Sequence, residues 1–358
     1  MIKPHCFQKE WIDGFRQHDH FRKINPPLLE KMIHALSLLQ YLQKHELDFI
    51  FKGGTSLILL LENANRFSVD IDILTEETKA SIESKLDEII VDSHFTGWKL
   101  DEPRSYQPGV PKAHYELAYE SILNKSSNYI LLDVLFERAA YTSTKQLPVQ
   151  SPWIETESVI GITLPTIEAI TGDKLTAFAP NTTGILYGKG KELEIIKQLF
   201  DLSKLFDQIE SVKEVALNFA AFASQEIAYR NLAIEPFDII QDAINTCRVI
   251  SFRERNRQEQ DKSHFDELQR GIKNFGSFLI TGHFRIDEAV IGAAKIAYLH
   301  AKLLTGDYSP LERYAGQDME GLDIENQDWN VLNKLKRFED QSAFFYWYRS
   351  LSIMGWLK

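Results

Sequence analysis

The sequence predicts an α/β protein of the α+β kind, with a strand-bearing N-terminal lobe over residues 1–164 and a mostly α-helical lobe over residues 165–358. Three observations predict it. Strand-like apolar patterns recur near 49–52, 69–74, 113–118 and 129–136. An amphipathic stretch at 27–44 carries Leu28, Met32, Ile33, Leu36, Leu39 and Leu42 at helical spacing. From Pro165 onwards the strand signals fade, and 195–206, 212–229, 236–247, 265–275 and 286–304 read as helices.

Taken in order, helix 27–44 should pack beside the catalytic sheet, followed by a strand at 49–52. A glycine turn and a helix-like run at 56–61 come next, then the strand at 69–74 and a helix at 82–91. Residues 97–112 read as loop, because Pro103, Pro108 and Pro111 interrupt any long element. Pro165 is placed as a first helical residue, with Glu168 in the first turn favouring the helix dipole. The Ala-, Ile- and Leu-rich stretch 289–302 reads as core. Phe344, Phe345, Tyr346, Trp347 and Tyr348 read as a packed C-terminal helix in preference to a base-stacking platform.

The chemistry concentrates in Lys52-Gly-Gly-Thr-Ser-Leu and Arg66-Phe-Ser-Val-Asp-Ile-Asp72. Val69, Ile71 and Ile73 alternate with Asp70 and Asp72, so both carboxylates should leave one strand face with Cα atoms roughly 6.5 Å apart. Two such carboxylates without a cation would repel, and a divalent metal is the natural partner. Asp-x-Asp alone also describes the wet face of an edge strand, and Gly-Gly alone is a turn. Their order is more informative: glycines let backbone approach a phosphate, and a helix N-terminus offers unpaired N–H groups. Asp133, within Tyr129-Ile-Leu-Leu-Asp-Val-Leu-Phe136, is the one acid in a nearly continuous apolar run that reads as a buried strand. It suits a shared metal site or a general base; a salt-bridged Asp at a strand end is the plainer alternative.

These residues resemble the AbiEii/AbiGii nucleotidyltransferase toxin family, a branch of the polymerase-β-like nucleotidyltransferases. The resemblance covers roughly residues 45–205. Asp70, Asp72 and Asp133 match the family's three acids, Asp173-Lys-Leu-Thr-Ala177 matches its lysine motif and nominates Lys174, and Lys197-Gln-Leu-Phe-Asp-Leu202 nominates Asp201. Gln198 and Phe200 depart from the acid and tyrosine of that last motif. The resemblance implies transfer of a nucleoside monophosphate from an NTP to a hydroxyl. Asp70, Asp72 and Asp133 would hold Mg²⁺, with Asp133 also helping to deprotonate the acceptor. Lys52, Gly53, Gly54, Thr55 and Ser56 would bind the nucleotide, the last three around its β- and γ-phosphates. Lys174 would offset phosphate charge, and Arg66 would brace Asp72 or touch phosphate. It further implies a bacterial toxin of a toxin–antitoxin or phage-defence system, a cognate antitoxin, and the tRNA 3′ end as acceptor. Read without the resemblance, Lys174 is equally a solvated lysine, and Asp201 equally an i,i+4 partner of Lys197. A small-molecule or protein acceptor and a non-catalytic NTP-binding module remain open, because fold and donor motif do not fix the acceptor.

Composition sets the outer bounds. With 358 residues, 44% apolar and 25% charged, the chain suits two lobes with sizeable cores. A formal net charge of −11 argues against nonspecific coating of nucleic acid. Arg248, Arg253, Arg255, Arg257 and Lys262 form a local basic stretch of a kind that can contact RNA, although such runs are usually solvated. Tyr187-Gly-Lys-Gly-Lys191 lacks the Walker spacing and reads as a flexible cationic loop near nucleotide or RNA. His18-Asp-His20 reads as an exposed polar segment rather than a metal site. No apolar run approaches a bilayer span, no signal-peptide pattern opens the chain, and Cys6 and Cys247 give neither disulfide framework nor zinc spacing. A reducing cytoplasm and no membrane partner are the expectation.

Overall fold

The computed structural model describes residues 1–62, 64–106 and 109–358, without the side chain of His20. Two compact units form: Met1–Thr166 with Ser277–His283, and Ile167–Gly276 with Phe284–Lys358.

The first unit is built on a seven-stranded mixed sheet. Its strands are β1 (Ile50–Lys52), β2 (Ile71–Thr75), β3 (Gly97–Leu100), β4 (Lys112–Glu120), β5 (Ser127–Phe136), β6 (Thr144–Pro148) and β7 (Gly161–Pro165), in spatial order β3-β4-β5-β2-β1-β7-β6. β2 runs parallel to β5 and β1 parallel to β7, and the other neighbours are antiparallel. Helices α1 (Lys9–Phe15), α2 (Pro26–Lys44), α3 (Gly53–Leu60), α4 (Lys79–Asp92) and the one-turn α5 (Glu102–Ser105) accompany it. Asn25 caps α2 by accepting from the Leu28 N–H, and Pro26 and Pro27 occupy its first positions, where a missing N–H costs nothing. Met32, Ile33, Leu36 and Leu39 of α2 and Ile82, Leu86 and Ile89 of α4 join Phe51, Ile71, Ile73, Leu132 and Val134 of the sheet in one apolar core.

The strand at 129–136 is not buried on both faces as its apolar run suggests. Ile130, Leu132 and Val134 are buried, whereas Leu131, Asp133 and Leu135 lie on the half-exposed face. Pro165 closes β7 rather than opening a helix, which begins at Ile167 with Glu168 in its first turn. Part of the expected loop 97–112 is ordered as β3 and α5; Pro108 lies outside the described residues. Ser277–His283 belongs to this unit through Phe67 N–H to Phe278 O at 2.8 Å and Ile280 N–H to Asn65 O at 2.9 Å.

The second unit contains α6 (Ile167–Ala177), α7 (Glu192–Phe206), α8 (Val212–Tyr229), α9 (Pro236–Phe252), α10 (Glu259–Phe275), α11 (Ile286–Thr305) and α12 (Ser342–Met354). The C-terminal aromatics are core: Phe344, Phe345, Tyr346 and Trp347 are buried, and the Trp347 indole donates to Ser251 Oγ at 2.9 Å. Residues 289–302 of α11 are largely buried, as their composition predicts. Cys6 and Cys247 are buried free thiols. Among the described residues, no helix is long and apolar enough to cross a membrane.

Behind the sheet, His34 of α2 stacks on Tyr119 at 3.7 Å between ring centroids, and its Nδ1 lies 2.8 Å from His94 Nε2. Burial holds His34 down to about 2, with His94 adding to the effect, and burial holds His94 down to about 4. Both are neutral when folded, while the unfolded chain protonates them near 6.5. Their contribution to stability is therefore present above pH 6.5 and lost as pH falls towards 4, and for His34 further towards 2. Each group contributes a slope of at most about 1.4 kcal/mol per pH unit. Urea unfolding between pH 7 and pH 5 should show falling stability, with a shallower slope in His94→Gln.

Candidate active site

The turn from β1 into α3 forms one wall of the site. Gly53 opens the helix at φ +76°, a conformation that side chains disfavour. A Cβ there would lie 2.0 Å from Asp72 Oδ2, so the glycine gives the carboxylate its room. A Cβ on Gly54 would meet Arg66 Nη2 at 2.6 Å and Ser68 Oγ at 2.9 Å. Arg66 is buried, donates to the Phe67 carbonyl at 3.0 Å and bridges backbone to backbone with Leu279. Its guanidinium thus lies across Gly54 and helps fix the segment leading into β2.

Thr55 and Ser56 are both fully buried. The Thr55 hydroxyl donates to the Asp70 carbonyl at 2.6 Å and lies 2.9 Å from Ser68 Oγ, while Ser56 Oγ donates to the Gly53 carbonyl at 2.8 Å. Both hydroxyls are thus engaged within the turn and the segment entering β2. Groups from this turn that suit phosphate are the backbone N–H groups at the start of α3.

Sheet register supplies the second wall. Asp72 pairs with Lys52 across β1–β2 and with Asp133 across β2–β5, while Asp133 pairs with His114 across β5–β4. Paired residues on neighbouring strands share a face and lie about 4.8 Å apart in the backbone. Lys52, Asp72, Asp133 and His114 therefore form one row across four strands. The Lys52 ammonium lies 5.9 Å from the Tyr141 ring centroid. Asp70 is partly exposed one residue before β2.

Asp133 is not a bare carboxylate. Its Oδ1 lies 2.5 Å from His114 Nδ1, and its Oδ2 lies 3.7 Å from Arg104 Nη2. Arg104 is presented by α5, whose Asp101 caps the Arg104 N–H, and the Ser105 hydroxyl accepts from the His114 backbone N–H at 2.9 Å. The sequence reading missed both partners. His114 lies in the strand expected at 113–118, but nothing local revealed that β4 would set it opposite Asp133. Arg104 fell in the stretch read as loop.

Among the described residues, no three His, Cys, Asp or Glu side chains form a group ready to hold a metal ion. Asp133 is turned to His114 and Arg104. The donor type still suits magnesium, which is commonly held by one or two carboxylates completed by water and substrate phosphates.

Lys174 and Asp201 meet within the helical unit. Lys174 is only 6% exposed, and its ammonium donates to Asp201 Oδ2 at 2.9 Å and to Gln198 Oε1 at 3.2 Å. Lys174 is therefore no solvated lysine, and Asp201 is a buried partner of a different helix. Lys197 pairs with Glu194 at 2.8 Å. The basic stretch is largely neutralised: Arg248 pairs with Asp261, Arg253 with Asp287 and Lys262 with Glu259, while Arg255 and Arg257 are exposed. The 187–191 loop is anchored by Tyr187 stacking on His264 at 3.9 Å and by the Gly188 N–H to Glu267, with Lys189 and Lys191 exposed.

Two outcomes are expected from these contacts. Gly53→Ala should cost about 1–2 kcal/mol for the left-handed conformation and displace the Asp72 carboxylate, so nucleotide binding by calorimetry should weaken more than melting temperature falls. Lys174→Ala should lose about 3–5 kcal/mol of stability by chemical denaturation, because the buried Asp201 loses the ammonium it accepts from; adding Asp201→Leu should recover part of that loss.

The family model for the AbiEii nucleotidyl transferase toxins of type IV toxin–antitoxin systems matches residues 37–277. Among solved structures, JHP933 from Helicobacter pylori aligns at 16% identity over 78% of this chain and 94% of its own, with a TM-score of 0.43. A second, provisionally named nucleotidyltransferase from H. pylori aligns at 15% identity over 78% of this chain and 97% of its own, with a TM-score of 0.44. An antigenic nucleotidyltransferase-like protein from Paracoccidioides brasiliensis aligns at 13% identity over 57% of this chain and 94% of its own, with a TM-score of 0.33. Among curated proteins no sequence matches. With two-thirds of its length matched by the family model, the chain belongs to the AbiEii nucleotidyl transferase toxin family and is a nucleotidyltransferase of that family.

Proposed function

We propose that this nucleotidyltransferase moves a nucleoside monophosphate from a magnesium-bound NTP to the 3′ hydroxyl of tRNA, as the toxin of a phage-defence pair restrained by a cognate antitoxin. The observation that carries the chemistry is the placing of Asp72 beside Asp133 on adjacent parallel strands, with Gly53 against the Asp72 carboxylate. The tRNA acceptor, the magnesium and the defence role rest on the family resemblance.

Asp70 and Asp72 are the carboxylates offered to magnesium, which when bound would screen phosphate charge and orient the triphosphate. The first N–H groups of α3 receive phosphate oxygens at the open side of the glycine turn. Asp133, held by its two neighbours, accepts the proton of the incoming hydroxyl. The acceptor oxygen forms a bond to the α-phosphorus as the bond to the α–β bridging oxygen breaks, and pyrophosphate leaves with that electron pair. Fixing both reactants supplies much of the acceleration, because positioning and electrostatics dominate phosphoryl chemistry.

The test is parallel labelling. The protein is incubated with each of four α-labelled NTPs and with tRNA, a protein extract or a small-molecule extract. Label should enter a tRNA-sized band and disappear with Asp72→Asn. Label in protein or small molecules would replace the acceptor; label that persists with Asp72→Asn would move the chemistry elsewhere.

A further inference from the structure

We infer that His114 is the positioning residue for Asp133, fixing the carboxylate that receives the acceptor's proton. The inference rests on the reading of Asp133 given above and adds a residue that the sequence motifs do not contain.

Three observations carry it. His114 and Asp133 are register partners, so the backbone itself holds their side chains on one face. The His114 Nδ1 to Asp133 Oδ1 distance of 2.5 Å is a close hydrogen bond between side chains only 12% and 23% exposed. A carboxylate oxygen only accepts, so the hydrogen belongs on Nδ1. The other ring nitrogen, Nε2, is buried and has no hydrogen-bond partner among the described residues. A buried lone pair left unmatched is more readily tolerated than a buried N–H, so of the two ring nitrogens the surroundings favour Nδ1 as the donor.

The surroundings then lock the ring. The Ser105 hydroxyl holds the His114 backbone N–H, and Asp101 N–H donates to the His114 carbonyl at 2.8 Å. Those same residues place α5 and hence Arg104, whose guanidinium approaches the other Asp133 oxygen. One oxygen is held firmly by the imidazole and the second more loosely by an exposed arginine at 3.7 Å. The second oxygen is thus the one available to an incoming hydroxyl, and its direction is set by the first.

The test uses three variants and one spectrum. His114→Ala removes the donor, His114→Asn keeps an N–H near the place of Nδ1, and Asp133→Asn removes the base. With Asp133 as base and His114 holding it, His114→Ala should lower kcat by about 10- to 100-fold with the NTP KM within about twofold, and His114→Asn should restore most of kcat. Full activity in His114→Ala, beside an inactive Asp133→Asn, would overturn this inference alone. Full activity in Asp133→Asn would instead overturn the reading on which it rests. Independently of turnover, ¹⁵N spectra of histidine-labelled protein should show the His114 hydrogen on Nδ1, lost or displaced in Asp133→Asn. A spectrum with hydrogen on Nε2 and none on Nδ1 would contradict the inference even if no acceptor were in hand.

Discussion

Everything in the sheet-bearing unit depends on two like charges set side by side. Asp72 and Asp133 are register partners on parallel strands, and neighbouring carboxylates at that spacing repel unless something compensates. The two carboxylates have different surroundings. Asp133 is met by His114 and approached by Arg104. Asp72 has the bare Cα of Gly53 beside it, which leaves space that any side chain would fill. Asp133 is thus braced by an imidazole, and the space beside Asp72 is kept clear of a Cβ.

That asymmetry assigns different work to residues that look equivalent as a motif. Thr55 and Ser56 look like phosphate ligands in the sequence, yet their hydroxyls hold the Asp70 and Gly53 carbonyls. They fix the geometry of the turn. Arg66 acts in a similar way, since its guanidinium lies over Gly54 and ties down the segment entering β2. In the helical unit, Lys174 and Asp201 form a buried pair between α6 and α7. Breaking such a pair leaves an unmatched charge, so its members stabilise the unit whatever else they touch.

Much of this was legible in the sequence, for identifiable reasons. Long helices announced themselves through apolar spacing: 212–229 was read at the bounds Val212–Tyr229, whereas α9 runs on past 247 to Phe252 and α10 begins at Glu259, ahead of 265. The β1 and β2 strands and the turn between them carried glycine and alternation signals strong enough to place. What escaped was β3, β6 and β7. They are four or five residues long, β3 and β6 lie at sheet edges, and their Lys, Gln and Pro residues hide any alternation. The β5 strand was found, but its apolar outer residues concealed which face was core. Cross-strand partnership was the harder loss. His114 and Asp133 are nineteen positions apart, and only the pairing of β4 with β5 shows that they meet. Within the helical unit, burial of Lys174 was likewise invisible because its partner comes from another helix.

The central claim is that the nucleotide and its metal gather at the Asp72–Asp133 row beside the Gly53 turn. The most direct measurement is paramagnetic broadening of backbone NMR signals on adding Mn²⁺ with a non-hydrolysable NTP analogue. The account predicts selective broadening at Gly53, Gly54, Asp70, Asp72, Asp133 and His114, abolished in an Asp70→Asn, Asp72→Asn double variant that still folds. Broadening centred elsewhere, or unchanged in that variant, would contradict it.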